Sequence, residues 1–267
     1  MLEPGHDAQF DQAAGLRRLF RARTGRAIAF VSGREACGRT KLLVGTAAAL
    51  AQSGESVLVI DENAGDANVH AAFGLRPGLD LFDAAMDGVP VTRLVQRAGA
   101  GLGVLSAARL ATRGAGFVRD QAGRLDKALM NLQETHSYVL IDCADRGPRQ
   151  LSPLALAAPC VAVVVAAQST AITRAYALIK RLARESGRES FQVVITRARS
   201  DEESQAIFRN LQLTASEHLG VRLDYLAGAR QPATDHIAGS LGLRLRQGHA
   251  GFRSLRADAS HGAATPA

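Results

Sequence analysis

The sequence predicts an open, doubly wound α/β fold: a mostly parallel sheet with helices on both faces and an extra N-terminal helix. Three observations carry that expectation. Short apolar runs alternate with longer helical patterns, the signature of consecutive βαβ units. The central runs, such as Val57-Leu58-Val59-Ile60 and Val161-Ala162-Val163-Val164-Val165, are apolar at every position, as strands covered on both faces are. With 267 residues, 47% of them apolar, the chain has material for one large core.

The elements follow in order. Phe10, Ala13, Leu16, Leu19 and Phe20 recur at three- and four-residue spacing, which makes an amphipathic helix flanked by Arg17, Arg18, Arg21 and Arg23. Strands are expected over 26–32, 56–61, 102–105, 138–142, 160–166, 191–196 and 221–226, each a short run rich in Val, Ile or Leu. Helices are expected over 41–52, 116–136, 170–185, 201–218 and 234–246. The stretch 248–267 is rich in Gly, Ala, Ser and His and lacks the apolar content to fold. The expected organisation is a helix segment, 1–23, one domain, 24–247, and a disordered tail, 248–267.

Composition removes several classes. No apolar run approaches the roughly 20 residues of a membrane span. Glu3, His6, Asp7 and Asp11 stand where a secretory leader would be basic and then apolar. Cys37, Cys143 and Cys160 form an odd set without metal-binding spacing, which points to a reducing compartment, the cytoplasm. The chain carries 32 Lys and Arg against 25 Asp and Glu, and only Lys41, Lys127 and Lys180 are lysine. Arg222, Arg230, Arg244, Arg246, Arg253 and Arg256 crowd the last quarter, but only Phe252 among them offers a stacking platform, which disfavours a nucleic-acid role. Residues 241–246 alternate apolar and basic and contain a glycine, unlike a membrane-surface helix.

Chemistry concentrates after the first strand. Residues 27–32 run into Gly33-Arg34-Glu35-Ala36-Cys37-Gly38-Arg39-Thr40, and a helix follows. That is the context of a phosphate-binding loop: backbone amides and the helix N-terminus face the anion, and the last hydroxyl can ligate magnesium. Asp61 and Asp142 end two later strands, where this chemistry needs carboxylates, Asp142 being the one that would hold magnesium.

On these residues the chain resembles the MinD/ParA group of deviant P-loop ATPases, and within it the flagellar-number regulators of the FlhG/FleN branch. The loop 33–40 stands where the family has Gly-Lys-Gly-Gly-x-Gly-Lys-Thr. Residues 57–73, VLVIDENAGDANVHAAF, resemble the family's second strand and its Gly-x-Ala-Asn-Val turn. Residues 138–142 and 170–180, the latter reading TAITRAYALIK, resemble its magnesium strand and interface helix. Residues 11–19, DQAAGLRRL, match the N-terminal motif of the flagellar branch. The resemblance implies ATP or ADP with magnesium at Gly33, Arg34, Gly38, Arg39, Thr40, Asp61 and Asp142, with Thr40 and Asp142 serving the metal. It implies ATP-dependent homodimerisation and slow hydrolysis. It also implies that Asp11, Gln12, Leu16 and Arg17 stimulate an FlhF-type signal-recognition GTPase, and that the protein works in the cytoplasm or peripherally at the cell pole or membrane.

Departures from the family fall where that chemistry resides. Arg34 and Arg39 replace the two loop lysines, and a planar guanidinium does not occupy a lysine's space. Glu35 and Ala36 replace glycines and add a carboxylate that a loop arginine would have to neutralise. Lys41 lies one place beyond Thr40, past the end of the loop. Asn63 replaces the aspartate that positions the attacking water and cannot accept its proton, and Glu62 is expected to point elsewhere. Cys143-Ala144-Asp145-Arg146 replace small residues near the terminal phosphate; Thr196-Arg197 replace an adenine-reading asparagine; residues 227–230 replace a proline-bearing adenine loop. Arg174 replaces an acidic residue of the interface helix. The leading expectation is a regulator of flagellar number and placement, acting through protein contacts with hydrolysis lost. An active ATP-driven dimer switch and a ParA-like DNA-partition protein are the alternatives.

Overall fold

In the computed structural model one sheet joins β1 (Ala27–Val31), β2 (Val57–Asp61), β3 (Gln96–Gly99), β4 (Leu102–Ser106), β5 (Tyr138–Asp142), β6 (Cys160–Ala166), β7 (Ser190–Thr196) and β8 (Arg222–Ala229). The order is β3-β4-β2-β5-β1-β6-β7-β8, and every pair is parallel except β3 with β4. The structure describes residues 27–33, 37–76, 78–113, 119–144 and 151–229. The expected N-terminal helix with Asp11, Gln12, Leu16 and Arg17 lies outside the described residues, as do Arg34, Glu35, Ala36, residues 145–150, the helix over 234–246 and the tail.

Alternation along each strand builds two cores. Ala27, Ala29 and Val31 share one with Leu58, Ile60, Val139, Ile141, Val161, Val163 and Val165. Ile28 and Phe30 share the other with Val57, Val59, Tyr138, Leu140, Ala162 and Val164. This two-sided burial is why these runs are apolar throughout. The first core is closed by α3 (Leu81–Asp87), α6 (Arg119–Thr135), α7 (Pro153–Ala157), α8 (Ser169–Ser186) and α9 (Asp201–Leu219). The second is closed by α1 (Arg39–Gln52) through Leu42, Leu43, Ala47 and Leu50, with Val69 of the short α2 (Val69–Ala72). Short α4 (Val91–Leu94) and α5 (Ala108–Arg113) serve as connections. In α8 the expected stripe is buried at Ala171, Ala175, Leu178, Ile179 and Leu182. Among the described residues no helix is long and apolar enough to cross a membrane.

Two features escape periodicity. The helices α2 to α5 and α7 are too short to show a repeat. β3 reads as polar because it is an edge strand, with a register shift between Arg97 and Gly99 against β4.

The topology gathers the site. β2 and β5 are neighbours with Asp61 opposite Asp142, and β1 flanks β5 on its other side with Phe30 opposite Asp142. Both strand-end carboxylates and the loop after β1 therefore meet at one edge of the sheet, outside its carboxyl ends.

Candidate functional site

Gly38 adopts φ 85°, a left-handed turn that glycine enters without strain, and its carbonyl accepts the Leu42 N–H at 2.9 Å to start α1. This turn sends Arg39 inward, where only 8% of the residue stays exposed. Its Nε donates to Asp142 Oδ1 at 2.5 Å, Nη1 to Ser32 Oγ at 3.0 Å and Nη2 to Asn63 Oδ1 at 3.2 Å. The Thr40 hydroxyl donates to Asp142 Oδ2 at 2.7 Å, and Asn63 Nδ2 donates to the same oxygen at 2.8 Å. The Asn63 amide is thus oriented by charge on both sides, oxygen to guanidinium and nitrogen to carboxylate.

Burial works against the Arg39 charge, but the adjacent Asp142 outweighs it and raises the guanidinium's pKa above its ordinary value. Burial also pushes the Asp142 carboxyl up, and Arg39 and Thr40 oppose that only in part. Three donors directed at its two oxygens are nonetheless the surroundings of an ionised carboxylate, so the pair is read as an ion pair.

Asp61 serves a different purpose. Its carboxylate accepts the N–H groups of Asn63 at 3.0 Å, Val69 at 3.0 Å and His70 at 3.4 Å, and lies 3.0 Å from His70 Nδ1. It anchors the start of α2, which Asn68 caps by accepting the Ala71 N–H at 2.8 Å. Glu62, 3% exposed, points away from Asn63 as alternation requires. Its carboxylate accepts the Ser152 hydroxyl at 2.6 Å and the Ala144 N–H at 3.1 Å, while its own N–H donates to the Asp142 carbonyl at 3.1 Å.

At the other side of the loop the Thr196 hydroxyl donates to the Cys37 carbonyl at 2.8 Å, and Arg197 follows with φ 60°. Cys37 and Cys143 are buried, and burial holds the Cys143 thiol well above its usual pKa, so it is an inert packing group. A Cβ on Gly33 would lie 2.6 Å from the Arg174 carbonyl carbon and oxygen, so this glycine lets α8 pack against the loop.

Arg39, Thr40 and Asn63, with Gly38, Lys41, Glu62 and Asn68, line a cleft of about 1110 Å³, and Asp61 and Asp142 are buried behind them. Gly33 stands apart as a packing residue. Ser32, His70 and Ser152 were not singled out by the sequence. Ser152 had a signal, a cap before the proline that opens α7, whereas His70 had none. The Asp142 carboxylate, where a metal would be held, is here paired with a guanidinium at 2.5 Å and faced by an amide N–H at 2.8 Å, so a magnesium ion would have to displace both.

The parallel sheet, the glycine turn opening α1 and the paired strand-end carboxylates define a P-loop fold of the MinD/ParA type. Residues 27–196 match the family described as cellulose biosynthesis protein BcsQ, and the chain belongs to that family. It is 29% identical over 199 residues to the antiactivator FleN of Pseudomonas aeruginosa, covering 74% of this chain and 71% of FleN. Its fold is similar to that of the MinD cell division protein of Aquifex aeolicus, with a TM-score of 0.62 and 18% identity over 82% of this chain and 97% of MinD. A putative plasmid partition protein of Borrelia burgdorferi bound to AMPPNP is similar at a TM-score of 0.62 and 14% identity, over 85% of this chain and 100% of the other.

Proposed function

We propose that the chain is a regulator of flagellar number, placement and biosynthesis that works through protein contacts, its nucleotide site degraded. The observation that carries this reading is the engagement of Arg39. The cation at the position of the phosphate-contacting lysine is held inside the protein by Asp142, Ser32 and Asn63. The likeness to an antiactivator named FleN supports the flagellar assignment. On this reading residues 1–23 are the partner-directed segment, with Asp11, Gln12, Leu16 and Arg17 meeting an FlhF-type signal-recognition GTPase, and the protein acts in the cytoplasm or at the pole or membrane periphery.

The second reading is an ATP-driven switch in which a homodimer closes over magnesium and ATP. The left-handed Gly38 turn and the exposed Lys41 beside the cleft favour it. Titration of the full-length protein with a fluorescent ATP analogue and magnesium separates the two. No saturable signal supports the regulator; saturable binding overturns its degraded site. Stimulation of the partner GTPase, lost in a Gln12→Ala and Arg17→Ala double variant, tests the N-terminal segment. Salt-dependent retention on non-specific DNA at physiological ionic strength would instead favour a partition protein.

A further inference from the structure

We infer that Arg39 and Glu62 are built-in substitutes for the metal and the terminal anion that a nucleotide would bring, so that this edge of the sheet is latched in one arrangement without a ligand. The inference rests on the degraded-site reading and adds what the degradation accomplishes. In ligand-controlled P-loop switches a bound cation and anion draw strand-end carboxylates and loop amides together. Here side chains of the chain itself make both sets of contacts.

On the cationic side Arg39 joins α1 to the end of β5 through Asp142 and to the end of β2 through Asn63. Asn63 passes the connection to Asp61, whose carboxylate holds the Val69 and His70 amides of α2. On the anionic side the Glu62 carboxylate takes the Ala144 N–H, close to where the family presents an amide to a terminal phosphate, together with the Ser152 hydroxyl. Ser152 in turn caps α7 by accepting the Ala155 N–H at 3.1 Å. The two halves share a backbone bond, Glu62 N–H to the Asp142 carbonyl at 3.1 Å. One hydrogen-bonded network therefore spans α1, the β2 end, α2, the β5 end and α7. A tethered charge acts at high effective concentration and does not diffuse away, so the surfaces that these elements present do not cycle.

Amide exchange of the full-length protein, measured in EDTA and again with magnesium and ATP, tests the latch. Expected is slow exchange at Val69, His70 and Ala144 in EDTA, unchanged by magnesium and ATP. Glu62→Gln keeps the shape and loses the charge, and is expected to speed exchange at Ala144 by about tenfold or more. Retained protection at Val163 and Val193 in β6 and β7 shows that this variant is folded; the wild-type comparison stands regardless. Fast exchange at Ala144 in EDTA, or slowing there on adding magnesium and ATP, overturns the latch. The two failures are distinguishable. Saturable binding of the fluorescent analogue would remove the degraded site and the latch that rests on it. No binding with fast exchange at Ala144 would remove the latch alone.

Discussion

Asn63 shows how one side chain decides what its neighbours can be. An aspartate there would exchange the N–H that meets Asp142 Oδ2 at 2.8 Å for a second carboxylate oxygen, with Asp61 Oδ1 3.4 Å from the same atom. Asn63→Asp is therefore expected to cost about 1–3 kcal/mol, the scale of a buried polar contact left unmade. Urea unfolding measures it; an unchanged or raised midpoint would show that Arg39 tolerates two carboxylates equally well. The sequence displays Arg39 and Asn63 as separate departures from lysine and aspartate. Their contact is not legible there, because it depends on the Gly38 turn and on an Asp142 that lies 103 residues from Arg39. Glu62 is similar: alternation tells that it leaves the Asn63 side, but Ser152, 90 residues on, is what it finds.

At the scale of elements, Asp80 joins two helices with one buried carboxylate. It accepts the Phe82 N–H of α3 at 2.9 Å, the Arg109 and Leu110 N–H groups of α5 at 3.1 and 3.2 Å, and the Ser106 hydroxyl at 2.7 Å. Asp80→Ala is expected to destabilise by about 2 kcal/mol or more, above the usual effect of losing a single cap. Thermal unfolding checks this, and a loss no larger than a surface substitution gives would refute the shared-cap role. At the start of α9, hydrogen bonds from the Arg199 side chain and backbone hold the Glu203 carboxyl below the usual glutamate range. The folded value lies below the unfolded one. The contribution is therefore present above the ordinary glutamate pKa and is lost as pH falls through the lowered value. Wild type and Glu203→Gln should differ in thermal midpoint near neutral pH and converge in acid, with the gap narrowing in salt. Central strands were legible because they are apolar at every position, and long helices because they repeat a period several times. Neither α3 nor α5 does, so the Asp80 junction between them was invisible.

For the whole molecule, a ligand that binds only the folded chain raises its stability with concentration, by about 2.7 kcal/mol at a hundredfold excess over Kd. Magnesium with ATP is expected to leave the thermal midpoint of this protein where EDTA leaves it. A rise of several degrees that EDTA abolishes would mark a working nucleotide site. The architecture itself was legible, since strand, loop and carboxylates occur in an order that the parallel sheet brings to one edge. How Arg39 and Glu62 are engaged at that edge was not, because their partners Asp142 and Ser152 lie 103 and 90 residues away in the chain.

One of the two edge strands, β3, is four residues long, runs against its neighbour, slips register after Arg97 and exposes that arginine. A strand so short, bent and charged is a poor template for an incoming chain. Fibril growth and strand swapping are disfavoured at that edge, which favours helices or loops as the surfaces through which two copies would associate there.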